Sequence, residues 1–422
     1  MLLLTEADVR HVLVFQLARF GDLIQTKRLL GSIAAEDNTQ VHLCVDHSLA
    51  GMARLLYPYA QIHGLPAHAV SGFDPARIFS SARNLFAVLR EIDFKDVYLL
   101  NYSPLSFACA SLFSPECLRG YARVNGQDMR GRWAALSFNV LQDRRFSPLN
   151  LVDLWAAFHP SPLPPEKVNP IPAPAGDGRI GIVMAGRQSR RSLPPPVLAA
   201  CVQAVFQSRR GPELICIGSK DERPLVSRLM RHLPPQTAKR IIDRTGSTSL
   251  TDLPDLLLGL DMLLTPDTGA MHLAAHLGVP VQAFFLSSAW CFETGPYGFG
   301  HKIWQALLPC SPCLESATCD NSLACLNPFI HEAFLEHLAG KHNQHWPNGL
   351  LGCITTLDSL GSTCVCVDGE DPYAPGRREL RDALQEYFHL NAVGIPPKIS
   401  REIAEYLYSE ANWMLPDNWQ GA

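Results

Sequence analysis

Two short stretches carry side chains that could bind and transfer a charged group. In residues 264–285, LTPDTGAMHLAAHLGVPVQAFF, Asp267 and Thr268 stand where an apolar run stops. Gly269 then admits close backbone approach, and the chain continues from Met271 to Leu277 with helical spacing of apolar residues. The pattern predicts a strand that meets a helix N-terminus. Free amides and the positive end of the helix dipole collect there, and His272, one turn in, points at the same spot, so the chemistry predicted is phosphate binding. The plain alternative is an Asp/Thr cap with a buried histidine, worth about 1 kcal/mol without any ligand. In residues 11–26, HVLVFQLARFGDLIQT, a β-branched run gives way to a turn around Arg19 and Gly21, and Asp22 opens a helix. A carboxylate there is kept charged by the dipole and can accept a proton, or it caps the helix and does nothing more.

The elements that must position these residues alternate strands and helices. The first region reads as strands over 11–16, 40–45 and 97–101, with helices over 23–35, 48–56, 75–90 and 105–112. Residues 161–174, SPLPPEKVNPIPAP, are too proline-rich for a helix or a central strand and read as a stiff linker. The second region reads as strands over 180–184, 214–217, 262–264 and 281–285, with helices over 196–206, 222–232, 250–258, 271–277 and 329–338. This predicts an α/β protein with two Rossmann-like, doubly wound domains, over 1–160 and 176–340, joined by a linker over 161–175. Residues 341–422 form an accessory C-terminal extension, with a strand-like stretch over 362–368 and an amphipathic helix over 377–390. We expect this tail to pack on the first domain. Its Tyr406, Tyr408, Trp413 and Trp419 suit core or oligomer contacts.

Asp267 to Ala275, followed by Leu277-Gly278-Val279-Pro280, resembles the donor-site motif of glycosyltransferase family 9, the heptosyltransferases. Phe20-Gly21-Asp22 resembles the family's Gly-Asp turn, residues 100–106 its N-domain loop, Arg191-Ser192-Leu193-Pro194 its basic-residue-to-Pro segment, and Ile217 to Glu222 its strand and ribose-side acid. The resemblance implies a GT-B fold with the two domains facing each other. It also implies inverting, metal-independent transfer from a nucleotide sugar, ADP-heptose or a relative, to an acceptor hydroxyl of the lipopolysaccharide inner core. Asp22 would be the catalytic base, and Arg191, Glu222, Asp267, Thr268, Gly269 and His272 would bind the donor, with Asp267 capping or orienting the loop. Arg19, Ser103, Arg144 and Arg145 would meet the acceptor, Arg119 and Arg123 beside them. These arginines serve equally well as surface solvation, and Glu222 as an exposed acid opening a helix. The chain departs from the family where Met184-Ala185-Gly186-Arg187 replaces a Pro-Gly turn, where Arg191 stands for a Lys, and where Leu286-Ser287-Ser288 follows the strand. A protein-directed transferase acting on an adhesin or flagellin, and a non-catalytic nucleotide-sugar-binding scaffold, are the alternatives on the same fold.

Composition agrees with a two-domain enzyme: 422 residues, 47% of them hydrophobic, can bury a core in each domain. A net charge of -4 gives no sign of a nucleic-acid binder. The apolar start is followed at once by Glu6, Asp8 and Arg10, and no apolar run reaches about 18 residues, so we expect a cytoplasmic protein with at most peripheral membrane contact at the inner face of the inner membrane. No D-x-D pair occurs, so a carboxylate-held metal on the diphosphate is not indicated. Most of the thirteen cysteines read as reduced buried thiols. Cys310, Cys313, Cys319 and Cys325 form a compact cluster whose readings are a structural zinc or iron site, reduced packing thiols, or a disulfide, with Cys353, Cys364 and Cys366 able to supply or replace ligands.

Overall fold

A computed structural model of the chain describes residues 9–68, 75–185, 189–286, 288–314, 317–341 and 345–392. It divides into two compact units. Unit 1 comprises Met1–Asp143, Val152–Leu163 and Ala383–Ala422, and unit 2 comprises Arg144–Leu151 and Pro164–Asp382.

Unit 1 is built on β1 (Arg10–Gln16), β2 (Thr39–Asp46), β3 (Ala60–Leu65), β4 (Phe94–Leu99), β5 (Leu118–Val124) and β6 (Gln127–Arg130). The sheet order is β3-β2-β1-β4-β5-β6, parallel throughout except where β6 turns back on β5. Val12, Leu13, Val14 and Phe15 in β1 are all buried, because a parallel strand covered on both faces reads as a continuous apolar run. The helix expected over 23–35 is two helices, Phe20–Gln25 and Lys27–Ala34. Thr26 marks the break: its hydroxyl donates to the Asp22 carbonyl at 2.9 Å and accepts from Gln16 at 3.2 Å, which ties the turn to the end of β1.

Unit 2 contains β7 (Arg179–Val183), β8 (Glu213–Ile217), β9 (Ile241–Asp243), β10 (Met262–Pro266), β11 (Val281–Phe285), β12 (Lys302–Ala306), β13 (Leu350–Leu357) and β14 (Ser362–Asp368). Their order is β14-β13-β12-β11-β10-β7-β8-β9, with β13 and β14 antiparallel and the rest parallel. β12, read as KIWQA, escapes a pattern search because Gln305 interrupts its apolar run. Gln305 is fully buried all the same, since its amide donates to Ala289 and Ala306 carbonyls and accepts from the Cys291 amide.

Two expectations are corrected here. Residues 345–382 are not an accessory element on the first domain: β13 and β14 extend the second sheet, and the helix Ala374–Ala392 passes from unit 2 into unit 1 at Ala383. The strand β13 pairs with β12 over five residues, Lys302 to Ala306. Residues 144–151 likewise pack with unit 2, although the chain on either side of them belongs to unit 1. The aromatic end of the chain lies outside the described residues, as do Gly186, Arg187 and Ser287. Among the described residues no helix is long and apolar enough to cross a membrane.

Each sheet reverses its winding once, between β1 and β4 in unit 1 and between β7 and β10 in unit 2. Doubly wound sheets bind ligands beyond the carboxyl ends of the strands at such a point, so both candidate motifs stand where a ligand site is expected.

Candidate functional site

In unit 2, β10 ends at Pro266 and Asp267 leads into the helix Gly269–His276. Thr268 has extended backbone and its side chain accepts from the Met271 amide at 3.3 Å, as the cap reading expects. The helix stops because Gly278 takes the left-handed conformation, φ 74°, where a side chain would be strained. Asp267 and His272 are both buried. Asp267 is the hub of the site. Its Oδ2 accepts from Arg191 Nη2 at 2.5 Å and from the Thr294 hydroxyl at 3.0 Å, while its Oδ1 lies 3.8 Å from His272 Nε2. The structure therefore brings Arg191, Asp267, Thr268, Gly269 and His272 together at the carboxyl ends of β7 and β10. Asp267 orients a guanidinium beside the open amides of the helix. That arrangement suits a diphosphate, because the carboxylate itself is already engaged by Arg191.

Next to this cluster lies a second buried ion pair that sequence reasoning missed. Glu293, in the short helix Cys291–Thr294, accepts from Arg144 Nε at 2.8 Å and Nη2 at 2.7 Å. Burial pushes the Glu293 carboxyl up, Arg144 pulls it down, and the nearby Asp267 charge raises it again. Arg144 was expected on the acceptor side of the first domain. Its pairing in unit 2 corrects that placement, and the reason is non-local: nothing within 100 residues of Arg144 in sequence announces Glu293. Arg145 also lies in unit 2, its guanidinium over the rings of Phe146 and Tyr373 at 5.8 and 5.6 Å.

Glu222 has a local task. Its Oε2 accepts from the Ser219 amide at 2.6 Å, closing the turn after β8, and a Cβ at Gly218 would overlap that oxygen. Burial raises the Glu222 carboxyl and the Ser219 bonds oppose it.

In unit 1, Asp22 stands in the first turn of Phe20–Gln25 and its Oδ2 accepts from the Arg19 amide at 3.0 Å. Ser103 caps the helix Pro104–Ala110 through the Ser106 amide at 3.3 Å. The two loops are joined at their bases: Asn101 Oδ1 accepts from the Leu17 amide at 2.6 Å and its Nδ2 donates to Gln16 Oε1 at 2.7 Å. Asp22 and Ser103 thus flank the β1–β4 reversal, with the Arg19 side chain exposed beside them. Arg119 and Arg123 are spent on Asp96 and Asp128, each at 2.8 Å. Lys27, which begins the next helix, is fully buried, and burial pulls its ammonium down to about 7 against the favourable charge of Asp153.

Cys310, Cys313, Cys319 and Cys325 line one cavity of about 110 Å³ together with Arg190. Arg190 donates to the Ala317 carbonyl and lies 3.5 Å from Cys313 Sγ, so the cysteine loop backs the residue that precedes Arg191. The thiols share a cavity but are not drawn together around a point. Among the described residues no group of three or more His, Cys, Asp or Glu is arranged to hold a metal ion. Cys353 and Cys366 belong to a different place, facing each other across β13 and β14 with their sulfurs 3.1 Å apart.

The family model described as glycosyltransferase family 9 (heptosyltransferase) matches residues 204–323. Over that segment the chain is similar to glycosyltransferase family 9. The matched segment holds Glu222, Asp267, Thr268, Gly269, His272 and three of the four loop cysteines, while Asp22, Arg144 and Arg191 lie outside it. ADP-heptose lps heptosyltransferase II of E. coli is 16% identical, over 76% of this chain and 98% of that one, with a TM-score of 0.54. A family 9 glycosyl transferase from Veillonella parvula is 16% identical, over 69% of this chain and 85% of that one, with a TM-score of 0.53. At that identity the two structures show the shared GT-B fold. No curated protein matches the chain.

Proposed function

We propose that the protein transfers a sugar, heptose from ADP-heptose or a related nucleotide sugar, to a hydroxyl of the lipopolysaccharide inner core, with inversion at the sugar carbon. The observation that carries this reading is the Arg191–Asp267–His272 cluster at the N-terminus of Gly269–His276, within the stretch that the heptosyltransferase model matches. In the reaction the acceptor oxygen attacks the anomeric carbon as the bond to the diphosphate oxygen breaks. The diphosphate leaves with the bonding electrons, and Asp22 takes the acceptor's proton. Charge building on the leaving group is met by the Arg191 guanidinium, the Gly269 amide end of the helix and the His272 ring. We place this chemistry on the cytoplasmic face of the membrane.

For the cysteine loop a structural zinc or iron is proposed on donor chemistry alone: four thiols line one cavity, they are not gathered around one point in the structure, and no step of the transfer runs through them.

Calorimetry with ADP and ADP-heptose tests the donor site. Wild type should bind both, and His272→Ala combined with Arg191→Ala should weaken binding by at least about 100-fold, since each charge-assisted contact is worth roughly 1.5–3 kcal/mol. Equal affinity in wild type and variant would remove the assignment.

A further inference from the structure

We infer that Arg144 is a second cation for the donor diphosphate, held in place by the buried carboxylate of Glu293; this rests on the donor reading above. Arg144 lies in a segment of eight residues, Arg144–Leu151, that packs with unit 2 between two stretches of unit 1. The segment does not need the Arg144–Glu293 pair to stay there. The Asn150 amide donates to the Gly295 carbonyl at 3.0 Å, Arg377 donates to the Arg145 carbonyl at 2.7 Å, and Arg381 donates to the Pro148 carbonyl. Arg377 is itself fixed, its guanidinium over the Phe292 ring at 3.3 Å and paired with Asp371. With the segment tied at three points, two of them backbone carbonyls, a buried carboxylate beside Asp267 is an expensive way to add a fourth, because desolvating two neighbouring acids costs free energy that a tether alone does not recover.

What the pair does achieve is orientation. Arg144 spends Nε and Nη2 on Glu293, and its Nη1 makes no further contact among the described residues. The side chain keeps 26% of its surface exposed, and that of Arg191 keeps 18%. The two guanidinium groups are linked through adjacent residues, since Glu293 holds Arg144 and Thr294 donates its hydroxyl to the Asp267 oxygen that also receives Arg191. Each guanidinium is braced by a buried carboxylate, and the two braces meet at adjacent residues, Glu293 and Thr294. A nucleoside monophosphate can occupy one guanidinium fork, whereas a diphosphate, with two anionic groups joined by a bridging oxygen, can engage both. Glu293 is the positioning residue and Arg144 the contact.

The test is calorimetry of wild type, Arg191→Ala, Arg144→Lys, Arg144→Ala, and the double variant Arg144→Met with Glu293→Gln, using ADP, UDP, GDP and AMP as ligands. Thermal unfolding is recorded for each protein. Arg144→Ala should lose about 10–100-fold in affinity for the preferred diphosphate and much less for AMP, and Arg144→Lys should fall between it and wild type. The double variant removes both charges together and should unfold close to the wild-type temperature while binding the diphosphate as weakly as Arg144→Ala. Recovery of affinity in the double variant would make the pair a tether and overturn the inference. Unchanged diphosphate affinity in Arg144→Ala would overturn it too, while a loss in Arg191→Ala would leave the donor reading standing. If wild type binds none of the diphosphates, the donor reading itself fails.

Discussion

Lowering the pH from 7 to 5 should loosen unit 1 through a chain of three histidines. His11, His42 and His63 stand on neighbouring strands β1, β2 and β3, with His11 Nδ1 to His42 Nε2 and His42 Nδ1 to His63 Nε2 both at 3.0 Å. The central ring is buried, with the Phe94 ring edge-on at 5.0 Å. Neutral imidazoles satisfy this chain, with one proton in each of its two bonds, whereas a charge on His42 lacks both water and an acidic partner within the chain. Burial is the main cause that pulls His42 down to about 4, and the His63 and His11 rings add to it; burial also pulls His63 down. In the unfolded chain His42 titrates near 6.5. The folded value is therefore the depressed one, so the stabilisation is complete above about pH 6.5 and is lost as the pH falls from there towards 4. Between pH 7 and 5 the unfolded state takes up on average about two thirds of a proton more than the folded state, a loss of about 2 kcal/mol. Hydrogen exchange on the whole chain, read from peptides covering β1 to β3 and corrected for the intrinsic pH dependence, measures it. His42→Gln can still donate and accept but cannot titrate, and should remove most of the pH-dependent loss of protection. An equal loss in wild type and His42→Gln would refute the reasoning.

Two further outcomes follow from the site. Asp22→Asn keeps the shape and the bond to the Arg19 amide but cannot accept a proton, so turnover should fall about 10²–10⁴-fold with donor affinity and circular dichroism unchanged; a fall of less than about tenfold would leave Asp22 a cap. If the four loop cysteines close around an ion, elemental analysis of protein purified without chelator should find about one zinc or iron per chain, and chelation should lower the unfolding temperature. Metal-free protein of unchanged stability would assign those thiols to packing.

The local parts of the site were legible in the sequence because their physics is local. A strand end, an Asp-Thr cap, a glycine and a helical apolar spacing specify a helix N-terminus with free amides wherever they occur, and the structure places Thr268, Gly269 and His272 accordingly. The same holds for Asp22, whose bond to the Arg19 amide spans three residues. The alternation of strands and helices was also enough to announce doubly wound sheets, since a parallel strand needs a crossover and the crossover needs a helix. Which side chains meet across the sheet was decided only by tertiary structure. Arg191 reaches Asp267 over 76 residues, Arg144 reaches Glu293 over 149, and β13 adds to β12 after a long excursion, all contacts set by strand order rather than by neighbours in the chain. A lone arginine and a lone glutamate carry no signal of their partner. The strand order that brings them together is fixed by burying apolar faces, which the sequence encodes as a composition spread over the whole chain and not at the residues that meet.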